Sequence, residues 1–268
     1  MTLRWAWKQF LAERAFRSNP SGDLCEVFRL WPDHLYADLY LSDLSGYPEL
    51  SRRLPKMPSA EVQRSYGGAD GALLMARSTD FVRSAKQEYE RLAKRSLAAA
   101  RVLDYGCGWG RLTRLFLQFV PERRMRACDA WPEGVEVFRA LGFQIKCDLI
   151  DELARDLPYE DKSFEFVCAF SVLTHLPDYA AKAVMTALHR VLASDGVIAI
   201  TVRPKSYWAL FNDGEMVRQH EERGFAYRPH NGRAIFGDNS MSLGHIENNW
   251  SAWQIVSTQV NTTTRISA

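Results

Sequence analysis

The sequence predicts an α/β fold: a doubly wound, mostly parallel seven-stranded sheet with helices on both faces, a helical N-terminal extension and an insertion after the fifth strand. Three observations predict it. From residue 101 onward, apolar β-rich runs alternate with helix-like runs. The strand runs are almost continuously apolar, as strands covered on both faces must be. In "VLDYGCGWGRLTR", three glycines, Gly106, Gly108 and Gly110, fall at alternate positions where the first strand meets the next run. Glycine is entropically costly, so three at one strand-to-helix junction imply close approach to the backbone there.

Each element follows from its run. Residues 1–60 have patchy helical spacing (Trp5, Phe10, Leu11, Phe16, then Trp31, Leu35, Tyr36, Leu39 and Tyr40) and are cut into short pieces by Pro20, Pro32, Pro48, Pro55 and Pro58. "SYGGADGALLM" supplies a turn. A long helix follows, with Ser78 or Thr79 as its cap. Then come strand "RVLDYG", amphipathic helix "RLTRLFLQFV", strand "RMRACDA", helix "PEGVEVFRAL" with Pro132 near its start, strand "FQIKC", strand "SFEFVCAFSV", helix "DYAAKAVMTALHRVLA" and strand "GVIAITV". A polar, aromatic-rich stretch runs to about residue 249, and "WQIVSTQ" with "TTRISA" forms a closing hairpin.

The composition excludes several classes. The 268 residues are 47% hydrophobic and 25% charged, with a net charge of +2. That is an ordinary globular composition without the basic surplus of a nucleic-acid binder. No apolar run approaches the roughly 18–20 residues that span a bilayer, so no membrane partner is expected. The start, "MTLRWAWKQFLAERAFRSNP", interleaves charges with apolar residues and lacks a signal-peptide core, so a cytoplasmic protein is expected. The five cysteines are odd in number and include no C-x-x-C pair, and they read as buried hydrophobes. His220, His230 and His245 are too irregularly spaced for a metal site, and no metal is expected.

A dinucleotide fingerprint, G-x-G-x-x-G, would place Arg111 at its third small position, where strand and helix pack closely. The observed D-x-G-x-G-x-G instead resembles motif I of the class I S-adenosylmethionine-dependent methyltransferases. "ACDAWPEGVE" resembles the second motif of that family, "DLPYEDKSFEFVCAFSVLTHLPD" its fourth-strand region and "HRVLASDGVIAITV" its fifth. The resemblance covers roughly residues 60–203. Glu165 stands where the family usually has aspartate, and Ser194-Asp195-Gly196 replaces a Pro-Gly-Gly turn.

The resemblance implies S-adenosylmethionine as cofactor, with a Rossmann-like methyltransferase domain over residues 78–268. Residues 1–77 are then the helical extension and a cofactor-covering segment, and 203–250 a substrate lid. The family's loop cradles the methionine and ribose, here Asp104, Tyr105, Gly106, Cys107, Gly108 and Gly110. Asp129, followed by Ala130, stands at the ribose position, where an acceptor-only carboxylate takes two hydroxyl donors. Asp148 and Leu149 match the adenine position, with Asp151 as the alternative. Phe170 and Ser171 end strand four beside the cofactor, and Tyr66 and Gly67 approach its methionine end.

Chemistry is expected beyond the carboxyl ends of the strands. His175 is the candidate general base, with an acidic limb in turnover near the imidazole pKa; the alternative is that it orders its loop. Arg203 meets an anionic substrate or pairs with an acid. Tyr207, Trp208, Phe211, Tyr227 and Phe236 enclose a substrate or form a small core. The expected function is methylation of a small-molecule metabolite or glycan, at a hydroxyl. An NAD-dependent oxidoreductase and a catalytically silent partner subunit are the other classes considered.

Overall fold

The computed structural model describes residues 3–155, 157–230, 233 and 235–260. They belong to two compact units, Met1–Leu149 and Ile150–Ala268.

The first unit opens with six helices, α1 (Leu3–Ser18), α2 (Leu24–Phe28), α3 (Asp33–Leu39), α4 (Pro48–Arg53), α5 (Ala60–Gly67) and α6 (Gly71–Ala93). The prolines set their lengths: Pro32 precedes α3 and Pro48 starts α4. Asp23 caps α2 by accepting from the Cys25 N–H, and Ser59 caps α5 by accepting from the Val62 N–H. Gly68, in the left-handed region, ends α5. The long helix begins earlier than expected. Ser78 and Thr79 lie inside α6, buried, with their hydroxyls turned back onto the Leu74 and Met75 carbonyls. The expected boundary at 77/78 lies within this helix.

β1 (Val102–Tyr105), α7 (Thr113–Phe116), β2 (Met125–Asp129), α8 (Pro132–Ala140) and β3 (Cys147–Leu149) follow. The strands pair in parallel in the order β3-β2-β1, which sets Asp129 beside Leu149 at the carboxyl ends. The third strand starts later than "FQIKC" suggested, because Phe143 stacks on Phe138 of α8 at 4.1 Å and keeps its neighbours out of the sheet. The helix after the glycines is a single turn. Its run is not amphipathic at all: Leu112 through Val120 are all buried, polar Thr113, Arg114 and Gln118 included.

The second unit holds β4 (Phe164–Ala169), α9 (Asp178–Val191), β5 (Leu192–Ile200), α10 (Ser206–Ala209), α11 (Gly214–Arg223), β6 (Phe225–Pro229), β7 (Gly237–Met241) and α12 (Leu243–Asn249). β4 and β5 are parallel. β6 and β7 are antiparallel to each other and form a separate two-stranded sheet. The expectation of one seven-stranded sheet is corrected accordingly: β1–β3 pair in parallel in the first unit and β4–β5 in the second, while β6 and β7 form a sheet of their own. Residues 253–260 are not strand, and "TTRISA" lies outside the described residues. Trp208, Met216 and Ala226, with Tyr207 and Val217 against them, give the segment after β5 a small core.

Candidate active site

In the first unit the chain leaves β1 through three left-handed glycines, Gly106 (φ +70°), Gly108 (φ +53°) and Gly110 (φ +83°). Gly106 and Cys107 donate their N–H groups to the Cys128 carbonyl, tying the loop to β2. The Gly108 N–H donates to Asp129 Oδ2 at 2.7 Å, and the Trp131 N–H donates to Asp129 Oδ1 at 2.8 Å. Burial pushes the Asp129 carboxyl up, against the lowering effect of these backbone donors. Each oxygen still has acceptor capacity, so Asp129 can serve both the loop and a pair of ligand hydroxyls.

The glycines do different work. A Cβ on Gly108 would stand 3.1–3.2 Å from the Tyr66 ring, whereas one on Gly110 would stand 2.5 Å from Phe143 and 2.9 Å from Phe138. Gly110 is therefore a packing glycine, and Gly108 is the one beneath the covering aromatic. Tyr66 meets Trp131 edge to face at 6.0 Å, and its phenol is pushed up to about 12 by burial and by Asp129. Tyr66, in the segment expected to cover the cofactor, lies against Gly108 of the loop. Gly67 instead packs against Leu74, where a Cβ would come within 2.8 Å.

The neighbours of the loop are inward-facing. Asp104 is buried, accepts from the Thr113 hydroxyl and is pushed up to about 6, chiefly by burial. Tyr105 and Cys107 are also buried. The Cys107 sulfur lies 3.5 Å from that of Cys147, and burial pushes its thiol well up. Asp148 lies within β3, not after it, and pairs with Lys146 at 2.6 Å. Leu149 is exposed at the end of β3. Ala130, next to Asp129, is half-buried.

Arg114 carries no signal in the sequence and proves central. It is fully buried, and its guanidinium lies 4.8–5.3 Å from the ring centres of Trp109, Tyr40 and Phe143. It donates to the carbonyls of Gly110, Pro55 and Lys56 and to the Met57 sulfur, while Tyr36 donates to the Arg114 carbonyl. Burial draws its pKa down to about 10. One residue thus joins the N-terminal helices to the glycine loop.

In the second unit, Asp151 accepts from the N–H of Leu153 in its own turn. Ser171 holds a positive φ of 58°, and its N–H donates to Thr201 Oγ1 at 2.7 Å. Phe170, just before it, is half-buried at the end of β4. His175 Nδ1 is 2.8 Å from the Gly237 carbonyl, which fixes Nδ1 as the donor. Nε2 is then an acceptor, 3.3 Å from an Arg203 N–H donor. Burial, then the Arg203 charge, draws the His175 pKa down to about 4. Phe236 stacks on the imidazole at 5.0 Å.

Asp238, which the sequence did not single out, bridges Arg203 at 2.5 Å and His230 at 2.8 Å. Asn239 Nδ2 donates to the carbonyls of Leu173 and Leu176. The three late histidines diverge: His220 bonds Ser240, His230 bonds Asp238, and His245 bonds Asp178. Of the aromatic residues, Trp208 is core, Phe211 is exposed, and Phe236 belongs to the His175 cluster.

Residues 102–196 match the family model described as a methyltransferase domain. They are a methyltransferase domain. Over 112 residues the chain is 33% identical to the ubiquinone biosynthesis O-methyltransferases of three strains of Xanthomonas oryzae pv. oryzae, covering 41% of this chain and 45% of each relative. The chain thus aligns with less than half the length of these curated relatives. It is also similar to the solved structure of the YcgJ protein from Bacillus subtilis (21% identity, 66% of this chain and 67% of that one, TM-score 0.47). A putative S-adenosylmethionine-dependent methyltransferase from Methanococcus maripaludis has 17% identity, 69% and 93% coverage and a TM-score of 0.44.

The methyltransferase domain fits the cofactor of its family by the chemistry of its donor set. A half-buried carboxylate, Asp129, stands at the end of β2 beside a backbone held in the left-handed region. Exposed Leu149 stands next to it in register and offers an apolar wall.

Proposed function

We propose that the chain is an S-adenosylmethionine-dependent methyltransferase acting on a hydroxyl of a small-molecule metabolite or glycan. The observation that carries this is the Asp129–Gly108 arrangement, a half-buried acceptor pinned beside a loop of left-handed glycines. The naming of the curated relatives as O-methyltransferases supports a hydroxyl acceptor. In this reading Asp129 and Ala130 hold the ribose, Asp148 and Leu149 line the adenine, and Gly106, Gly108 and Tyr66 border the methionine end. Asp104, Tyr105, Cys107 and Gly110 shape the loop from behind, and Gly67 sets the path of Tyr66. Phe170 and Ser171 are assigned cofactor contacts on the family resemblance.

When bound, S-adenosylmethionine supplies a methyl group on a positively charged sulfur. The protein's part is then to align the acceptor and exclude water, which is worth several kcal/mol. His175 is poorly placed as a general base. Its accepting nitrogen is already bonded to Arg203, and a pKa of about 4 lies far below neutral operating pH. We assign it to positioning: it joins the loop after β4 to Arg203 and Gly237.

Titration calorimetry tests the cofactor assignment, with NAD as the control ligand. Asp129→Ala is expected to weaken S-adenosylmethionine binding by about 1.5–3 kcal/mol, the scale of hydrogen bonds to a charged group. Unchanged affinity would move the ribose acid elsewhere. Methyl transfer to a panel of hydroxyl compounds, followed by mass, tests the reaction.

A pH–rate profile tests His175. The neutral ring persists down to about pH 4, so no His175 limb near pH 6.5 is expected. His175→Asn should cost less than about tenfold in turnover, against the ~100-fold or more of a lost base. A limb near 6.5 that disappears in the variant would restore the general-base role.

A further inference from the structure

The outer face of α1 carries large apolar side chains that the described residues leave uncovered. The helix buries Gln9, Ala12, Glu13 and Phe16, yet Trp7 is 59% exposed, Phe10 46% and Leu11 44%; Leu30, after α2, is 86% exposed. Seating a helix needs one apolar stripe, and α1 carries a second. Trp7 and Phe10 stack at 5.5 Å on that outer face. The exposed stripe continues at helical spacing through Arg14 and Arg17. Leu11 and Trp31 line a half-open groove of about 420 Å³ beside it.

The charge on this face has one sign. Among its described side chains α1 carries Lys8, Arg14 and Arg17 against a single acid, Glu13. Glu13 is buried and committed to the Leu50 N–H and to Arg17. Lys8 lies 4.9 Å over the Trp31 ring, and Arg29 is exposed next to Leu30. Glu26, on the groove, is the one exposed acid between Leu3 and Trp31.

We propose that this face docks on an anionic phospholipid surface, with α1 lying in the plane of the interface. Tryptophan and phenylalanine rings suit the boundary between headgroup and acyl chain, and flanking arginine and lysine meet the phosphates. The expected absence of a membrane partner rested on spanning, and a 16-residue helix with five charges does not span. Lying on a surface asks for neither that length nor that hydropathy. A second copy of the chain suits the face less well, since a self-complementary contact would set the same cations against each other.

The test is flotation of the full chain with vesicles of phosphatidylcholine alone and of phosphatidylcholine mixed with phosphatidylglycerol. Binding is expected to the anionic vesicles, with a blue shift of tryptophan emission, and to weaken with salt. Trp7→Ser with Phe10→Ser should lower partition at least tenfold, and Arg14→Gln roughly fivefold, the equivalent of about 1 kcal/mol per basic residue at such a surface. These side chains are exposed, so thermal melts should match the wild type. No binding to anionic vesicles at low salt, or equal binding by the variants, would overturn the proposal. So would a concentration-dependent dimer that the double variant dissociates. No cofactor enters the measurement, so its result is independent of the proposed activity.

Discussion

Gly108→Val is expected to abolish cofactor binding while the chain stays folded. Two costs coincide at this position. A β-branched residue is a steric outlier at φ +53°, which costs about 1–2 kcal/mol. Its Cβ also stands 3.1–3.2 Å from the Tyr66 ring, so the covering aromatic must move, and the added methyl groups fill the space above the loop. The Gly108 N–H that holds Asp129 is displaced in the same step. Calorimetry should show S-adenosylmethionine affinity reduced by roughly 100-fold or more, about 3 kcal/mol. Gly108→Ala should fall between, and Tyr66→Ala in that background should recover part of the loss. A folded Gly108→Val protein with wild-type affinity would separate the loop from the cofactor.

Arg114→Ala should be the most destabilising single change in the first unit, by about 4 kcal/mol. Truncating a large buried side chain costs about 2–5 kcal/mol through lost packing and the cavity left behind. Here the carbonyls of Pro55 and Lys56 also lose their donor. Arg114→Met fills most of the volume and removes a buried charge whose pKa is already drawn down to about 10. It should cost less than half as much. Urea unfolding of both variants checks this, and an Arg114→Ala protein within 1 kcal/mol of wild type would show that the rings pack without the guanidinium.

The parts of the fold that were legible in the sequence are those whose pattern is local. β1, the three glycines and the acid closing β2 lie within 28 consecutive positions, from Val102 to Asp129, and each is dictated by neighbours in the chain. Even there, the distinct roles of Gly108 and Gly110 were not legible, because Phe143 and Tyr66 come from elsewhere. The run after the loop misled for a related reason. Thr113, Arg114 and Gln118 give it an amphipathic rhythm, but each finds a buried partner, Asp104, the N-terminal carbonyls, and the carbonyls of Phe28 and Trp31.

β6 and β7 were missed because "FAYRP" and "GDNSM" lack an apolar alternation. Their strand character comes from pairing with each other and from polar ties to the loop after β4. The β-branched "WQIVSTQ" had the better propensity, but among the described residues it has no strand to pair with.

Those ties have a mechanical consequence. Gly237, Asp238 and Asn239 are consecutive, and each is anchored: to His175, to Arg203, and to the carbonyls of Leu173 and Leu176. Three rivets on adjacent residues share one backbone displacement, since lifting the middle residue strains its neighbours. The hairpin therefore has no comfortable half-detached position. Any release from the β4 loop and Arg203 is expected to move the ladder from Phe225–Met241 to Pro229–Gly237 as one piece.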